Sequence, residues 1–426
     1  MITARNLFVA VFLALASLLV AQSSVSDADF TLSWTAHPAY SLSGSDPNRV
    51  SYLKGAVAEW QKSYPKVKLE ANLLSTNNTE AMAKLLEQAA QGRAPDLAQI
   101  DTYVLPRYLP YLQPLDGLIK AAGIDMKDFF PFADKIVRGK DGKVYGVQFT
   151  TDVRVLFYRK DLVTTPPKTW DDVFRVAKGL KDKGYDAFLF PAGLAEGAAN
   201  TSLWGMFWGQ GGELTDAGGK PVFGTGANRE RMLNVLRFYK SLVDQGYTPS
   251  RVANYGNEAD LNTEVAAGKV AMFLGGNFQV AQLSSIIGAE GMAKWGVARI
   301  PQKAGAKNAT SAGGWSWGIF TKDPAKQKAA FDLILKAYVG TEGMGGWTSV
   351  AGYLPTRKSV YTSPSYKPDA YSELFKTILE SDGRVRPPAD IYPQISTEME
   401  TALSAVVSGT KTPEKALDDA WAAVSR

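Results

Sequence analysis

From residue 30 onward, two apolar rhythms alternate, and that alternation restricts the fold more than any other feature. Phe30, Leu32 and Trp34 repeat every second residue, as in a strand with one buried face. Leu53, Ala56, Val57, Trp60 and Tyr64 then recur at helical spacing until Pro65. Val67, Leu69, Ala71 and Leu73 alternate again, Met82, Leu85, Leu86 and Ala89 mark a second helix, and Asp96 to Ile100 reads as a third strand. Strand–helix–strand order of this kind predicts parallel-rich sheets covered by helices, an α/β fold. The pattern returns later. Thr169 with Asp172 resembles a capping box before Val173, Val176, Ala177 and Leu180, and Val270 to Leu274 suits a buried strand. Thr412–Pro413 opens a final helix that buries Ala416, Leu417, Ala420 and Trp421.

The 426 residues exceed what one small core needs, so two domains are expected. No Pro- or Ser-rich linker divides them, which implies that ordinary strands cross between them. Arg5 followed by the apolar run Leu7 to Ala21 reads as a signal peptide over residues 1–21, and predicts a protein exported to the periplasm or the cell exterior. Cysteine is absent, which removes disulfides, thiolate chemistry and a lipid-modified cysteine. The net charge of +5 is small for this length and gives no support for a nucleic-acid partner.

The single histidine, His37, comes without a G-x-S-x-G elbow and without the companions of a zinc site. Neither a phosphate-binding P-loop nor a dinucleotide fingerprint is present. No cofactor, metal or catalytic residue is therefore expected, although a pair of carboxylates acting on glycosides leaves no linear signature. Aromatic and amide residues beside glycines are abundant: Trp204, Phe207 and Trp208 before Gly209, Asn277 after Gly275 and Gly276, and Trp315 after Gly313 and Gly314. Flat rings match the C–H faces of sugars, and Asp, Asn and Arg match their hydroxyls.

The most specific stretch is Lys143 to Leu162, KVYGVQFTTDVRVLFYRKDL, followed by Pro166 to Asp172, PPKTWDD. With Ala94–Pro95–Asp96, Leu112 to Asp116, Gly352 to Arg357 and Lys411 to Leu417, it resembles the extracellular solute-binding proteins of ABC importers, in the group that binds maltose, trehalose and glycerol-3-phosphate. The resemblance implies two lobes joined by several hinge strands, with residues 28–153 and 296–354 in the first lobe and 154–295 and 355–426 in the second. It places the crossings near Val153–Leu156, Trp295–Arg299 and Leu354–Lys358. It implies a monomer that closes over a sugar or polyol in the interlobe cleft and delivers it to permease subunits in the membrane.

Carried over position by position, the resemblance nominates His37 and Tyr40 after the first strand, Thr76 and Asn77 after the second, and Asp101 and Tyr103 after the third. It adds Thr151 and Asp152 at the crossing, Trp204, Trp208 and Asn277 in the second lobe, and Gly314, Trp315, Tyr353 and Arg386 from the later segments. Gln148 and Arg154 depart from the family pattern. A cleft arginine suits a phosphate or carboxylate, which keeps glycerol-3-phosphate or a glycerophosphodiester open as ligand; Arg154 bracing the hinge against an acidic neighbour is the other reading. A secreted glycoside-active enzyme and an adhesion or sensor module are the competing classes.

Overall fold

A computed structural model of the protein describes residues 25–426, so the signal peptide expected over 1–21 lies outside the described residues. Among the described residues, ten strands form three sheets. β1 (Thr31–Ala36), β2 (Lys68–Leu73), β3 (Leu97–Asp101), β4 (Val147–Gln148) and β9 (Trp315–Ile319) make the sheet of the first lobe, in the order β2-β1-β3-β9-β4. β5 (Arg154–Arg159), β6 (Met272–Gly276) and β7 (Trp295–Ala298) make that of the second, in the order β6-β5-β7. β8 (Thr310–Ala312) and β10 (Gly383–Val385) pair beside it.

The alternation in β1 does what its sequence dictates. Leu32, Trp34 and Ala36 are buried, and the intervening side chains face outward. β2 carries the same pattern but lies at the sheet edge with one neighbour, and Leu73 is left half exposed. The capping box at Thr169 forms, with Asp172 accepting from the Thr169 backbone N–H, and so does the Thr412 cap of the last helix.

The sheets are mixed. β1 pairs in parallel with β2 and β3, whereas β9 runs antiparallel to β3 and β4, and β5 antiparallel to β6 and β7. In the second lobe, parallel contacts come from the β8–β10 pair and the short bridges Thr169–Gln302, Asp186–Val270 and Leu189–Phe273.

The chain first passes from sheet to sheet between β4 and β5. The second passage differs from the expected Trp295–Arg299. β7 is a full member of the second sheet, and the chain returns to the first only through Ala312–Trp315, between β8 and β9. The third also lies later than Leu354–Lys358. Thr356 Oγ1 still donates to the Gln148 carbonyl and Arg357 still pairs with Asp128, both in the first lobe, and the next hydrogen bond to the second-lobe sheet comes only at Tyr371, whose hydroxyl donates to the Trp295 carbonyl. The family motif at 352–357 marks the end of the first lobe, and the linkage follows it.

Candidate functional site

Where the strands of the first sheet end, their loops converge on the second lobe. β1 runs into the turn at His37–Tyr40, where His37 Nδ1 accepts from the Ala39 N–H. The β3–β9 register sets Asp101 opposite Trp315, so two strand ends deliver a carboxylate and an indole to the same edge. Gly314 precedes that indole with φ +138°, and a Cβ there would lie 1.9 Å from the Thr150 carbonyl oxygen, so only glycine allows the approach. Between these loops and the second lobe lies a cavity of about 600 Å³.

The first lobe gives this cavity a wall of rings. Tyr40 packs on Trp315 at 5.7 Å and stacks on Tyr353 at 5.6 Å, and His37 lies 5.9 Å from Trp315. Burial drives the His37 pKa down to about 4, so the ring is neutral at neutral pH. Thr76 and Asn77 line the rim, where Asn77 also caps the helix Asn78–Ala90.

The second lobe gives it a wall of charges. Arg154 donates from Nε to Glu258 Oε1 at 2.9 Å and from Nη1 to Asp152. Arg386 donates to Glu196 at 3.0 Å and reaches across the cleft to Asp101 at 2.9 Å. Burial pulls the Arg154 pKa down, but Asp152 and Glu258 outweigh it and the net direction is upward. Burial raises Asp101 to about 6 against the opposing attraction of Arg386. Glu196 is fixed in turn by the hydroxyls of Tyr392 and Ser396.

His37, Tyr40, Thr76, Asn77 and Asp101 thus share one cavity with Asp152, Gly314, Trp315, Tyr353 and Arg386. The other nominated residues lie elsewhere. Trp204 is fully buried in the second-lobe core, its Nε1 donating to the Tyr392 hydroxyl at 2.9 Å. Trp208 borders a separate hollow of about 680 Å³, with the Arg384 guanidinium 5.3 Å above its ring. Asn277 clamps the hinge, accepting from Val153 N–H at 2.9 Å and donating to the Gly352 carbonyl at 2.7 Å. Thr151 is buried in the same hinge, its hydroxyl donating to the Gly313 carbonyl. Tyr103 lies behind the lining and supports Arg386, whose guanidinium sits 4.7 Å from its ring centre. Gln148, the other departure from the family pattern, ties the passage by donating to the carbonyls of Thr150 and Gly313.

Glu196, Glu258 and Phe278 were not among the nominated residues, yet all three line the cavity. The sequence carried one indirect signal. Asn257 to Asp260 reads as a cap motif, and in the structure it presents Glu258 inward.

The sequence profile of the bacterial extracellular solute-binding proteins matches residues 55–373. The chain belongs to this family. A putative binding protein of Brucella abortus is 26% identical over 353 residues, covering 80% of this chain and 81% of the relative. The lactose-binding protein of Rhizobium radiobacter is 26% identical over 405 residues, covering 88% and 90%. The fold is that of the maltose-bound MalE3 of T. maritima, with a TM-score of 0.81 at 24% identity, over 93% of this chain and 99% of that one. The family member described here is the solute-binding component of an ABC transporter. Its relatives and structural neighbours are binding proteins, and proteins of this kind take up small ligands and meet permeases in the membrane. Among the described residues, no helix is long and apolar enough to cross a membrane.

Proposed function

We propose that this family member captures an uncharged carbohydrate, a mono- or oligosaccharide, between its two lobes for import. The observation that carries this reading is the pairing of the cleft's arginines. Arg154 lies between Asp152 and Glu258, and Arg386 between Asp101 and Glu196, so neither guanidinium is free for an anion. The lining carries Asp101, Asp152, Glu196, Glu258 and Asp260 against Arg154 and Arg386. A phosphate ester entering this excess of carboxylates meets repulsion with no unpaired cation to offset it. Arg154 therefore braces the hinge side of the cleft, which argues against glycerol-3-phosphate. A hydroxyl-rich neutral guest fits instead. Its C–H faces meet Trp315 and Tyr353, and its hydroxyls donate to carboxylates whose charges the arginines already balance in part.

Because the guest touches rings from one lobe and ionic groups from the other, only the closed arrangement offers it both, and its binding shifts the lobes toward closure. A thermal-shift screen of the protein with glucose, maltose, trehalose, mannobiose, lactose and glycerol-3-phosphate tests the reading. A ligand at a hundred times its dissociation constant adds about 2.7 kcal/mol of stability. At least one neutral sugar raises the transition and glycerol-3-phosphate leaves it unchanged. A shift with the phosphate ester alone overturns the proposal.

A further inference from the structure

The cavity lining is unevenly exposed. Asn77 and Asp260 are exposed, and so is 64% of Leu194, whereas Arg386 is only 5% exposed. Beyond Arg386 the interlobe gap resumes. A constriction of about 10 Å³ between Tyr103, Phe132 and Val385, with Arg386 in its wall, leads to an outer trough of about 1140 Å³ bordered by Phe132, Tyr145 and Pro388. Arg386 is the one residue that lines both the inner chamber and the constriction, and it is held on every side. Asp101 and Glu196 accept its hydrogen bonds, the Tyr103 ring lies beneath it, and Gly313 packs so closely that a Cβ there would stand 2.8 Å from Nη2. Displacing it strands two buried carboxylates, so a ligand does not push it aside.

We infer that the Arg386–Asp101 bridge is an end wall that makes this cleft read the terminus of a saccharide. The inference rests on the carbohydrate reading above. One terminal unit abuts Arg386, any further units extend only toward the mouth between Asn77 and Leu194, and the outer trough is not a subsite. Chain length is then restricted on one side and free on the other, and Arg386 is a specificity-determining residue as well as a hydrogen-bond donor.

The test is calorimetric titration of the full chain with the saccharide that gives the largest thermal shift. It is presented unmodified, with a bulky fluorophore on its reducing end, or with the same fluorophore on its non-reducing end. One labelled form binds as tightly as the free sugar, and the other weakens by about a hundredfold or more, since a clash rather than a lost contact sets the difference. Equal tolerance of both labels, or rejection of both, overturns the wall. The pair Arg386→Ala with Asp101→Asn weakens the free sugar but narrows the gap between the two labelled forms; an unchanged gap overturns the assignment to Arg386. Val385→Trp fills the constriction from the trough side and leaves all three affinities unchanged, whereas a selective loss for either labelled form shows that ligands pass the wall and overturns the inference. If no unmodified saccharide binds, the carbohydrate reading itself fails, a result distinct from symmetric behaviour of the labels.

Discussion

The two walls of the cleft solve the same problem with opposite chemistry. The first-lobe wall is mainly aromatic, with Asp101 as its carboxylate, built from the turn after β1, the start of β9 and the turn after the helix Thr341–Ala351, and held by ring–ring packing of Tyr40, Trp315 and Tyr353. The second-lobe wall is ionic, built from residues far apart in the chain: Arg386 and Glu196 are 190 positions apart, and Arg154 and Glu258 are 104. Ring packing makes a surface that loses little when one member is trimmed. An ionic wall in a dry site is all-or-none, because each charge depends on its partner. The difference teaches how the site divides its work, with shape supplied by one lobe and hydrogen-bond direction by the other.

The sharpest way to break the contrast is Arg154→Ala. It leaves Asp152 and Glu258 buried without their cation and costs about 3–5 kcal/mol of stability, measured by urea denaturation. Adding Asp152→Asn and Glu258→Gln recovers most of that loss, since the stranded charges go with it. Next comes Asp101→Asn, which removes a charge-assisted acceptor and loosens the contact across the lobes. Calorimetry should show affinity for the cognate sugar falling about ten- to a hundredfold, the equivalent of about 1.5–3 kcal/mol. On the ring wall, Trp315→Leu keeps an apolar side chain in place and lowers affinity by about tenfold at most, with the fold intact by circular dichroism.

The last prediction is one of sign. Behind the ionic wall, burial and then the proximity of Glu196 push Glu400 up to about 8. The folded state therefore holds a proton that the unfolded chain releases near 4.5, and that stabilisation is lost as pH rises through about 8. His37, on the ring wall, has the opposite shift. Its unfolded form protonates below about 6.5 while the folded ring resists to about 4, so its contribution is lost as pH falls through that window. Denaturation midpoints between pH 4 and 9 should show Glu400→Gln gaining on the parent protein toward alkaline pH, and His37→Gln gaining toward acid.

The ring wall was far more legible in the sequence than the ionic one. The resemblance puts the loops after the predicted strands at the cleft, and His37, Tyr40, Asn77 and Asp101 come from carrying it onto those loops. Trp204 and Trp208 misled because a Trp–Gly cluster has the same composition whether its rings face a ligand or a core. Here the helical turns Ala199–Trp204 and Gly205–Gly209 bury one indole against Tyr392 and lay the other beneath Arg384. Asn277 sits at the anticipated strand end but spends both amide functions on the hinge backbone. Glu196 had no readable signal and Glu258 only the indirect one of its cap motif, because a buried glutamate is recognisable only by its partner and the partners are distant in sequence. The passages between lobes slipped for a related reason: an edge strand such as β7 and a crossing strand share the same short apolar pattern.

Small-angle X-ray scattering, with and without the sugar that gives the largest thermal shift, tests the central claim that one neutral guest is gripped by both walls together. The Arg386–Asp101 contact alone does little more than offset its own desolvation, so the lobes require the guest to stay shut. The radius of gyration falls on saturation. Superimposable profiles at full occupancy would contradict the account.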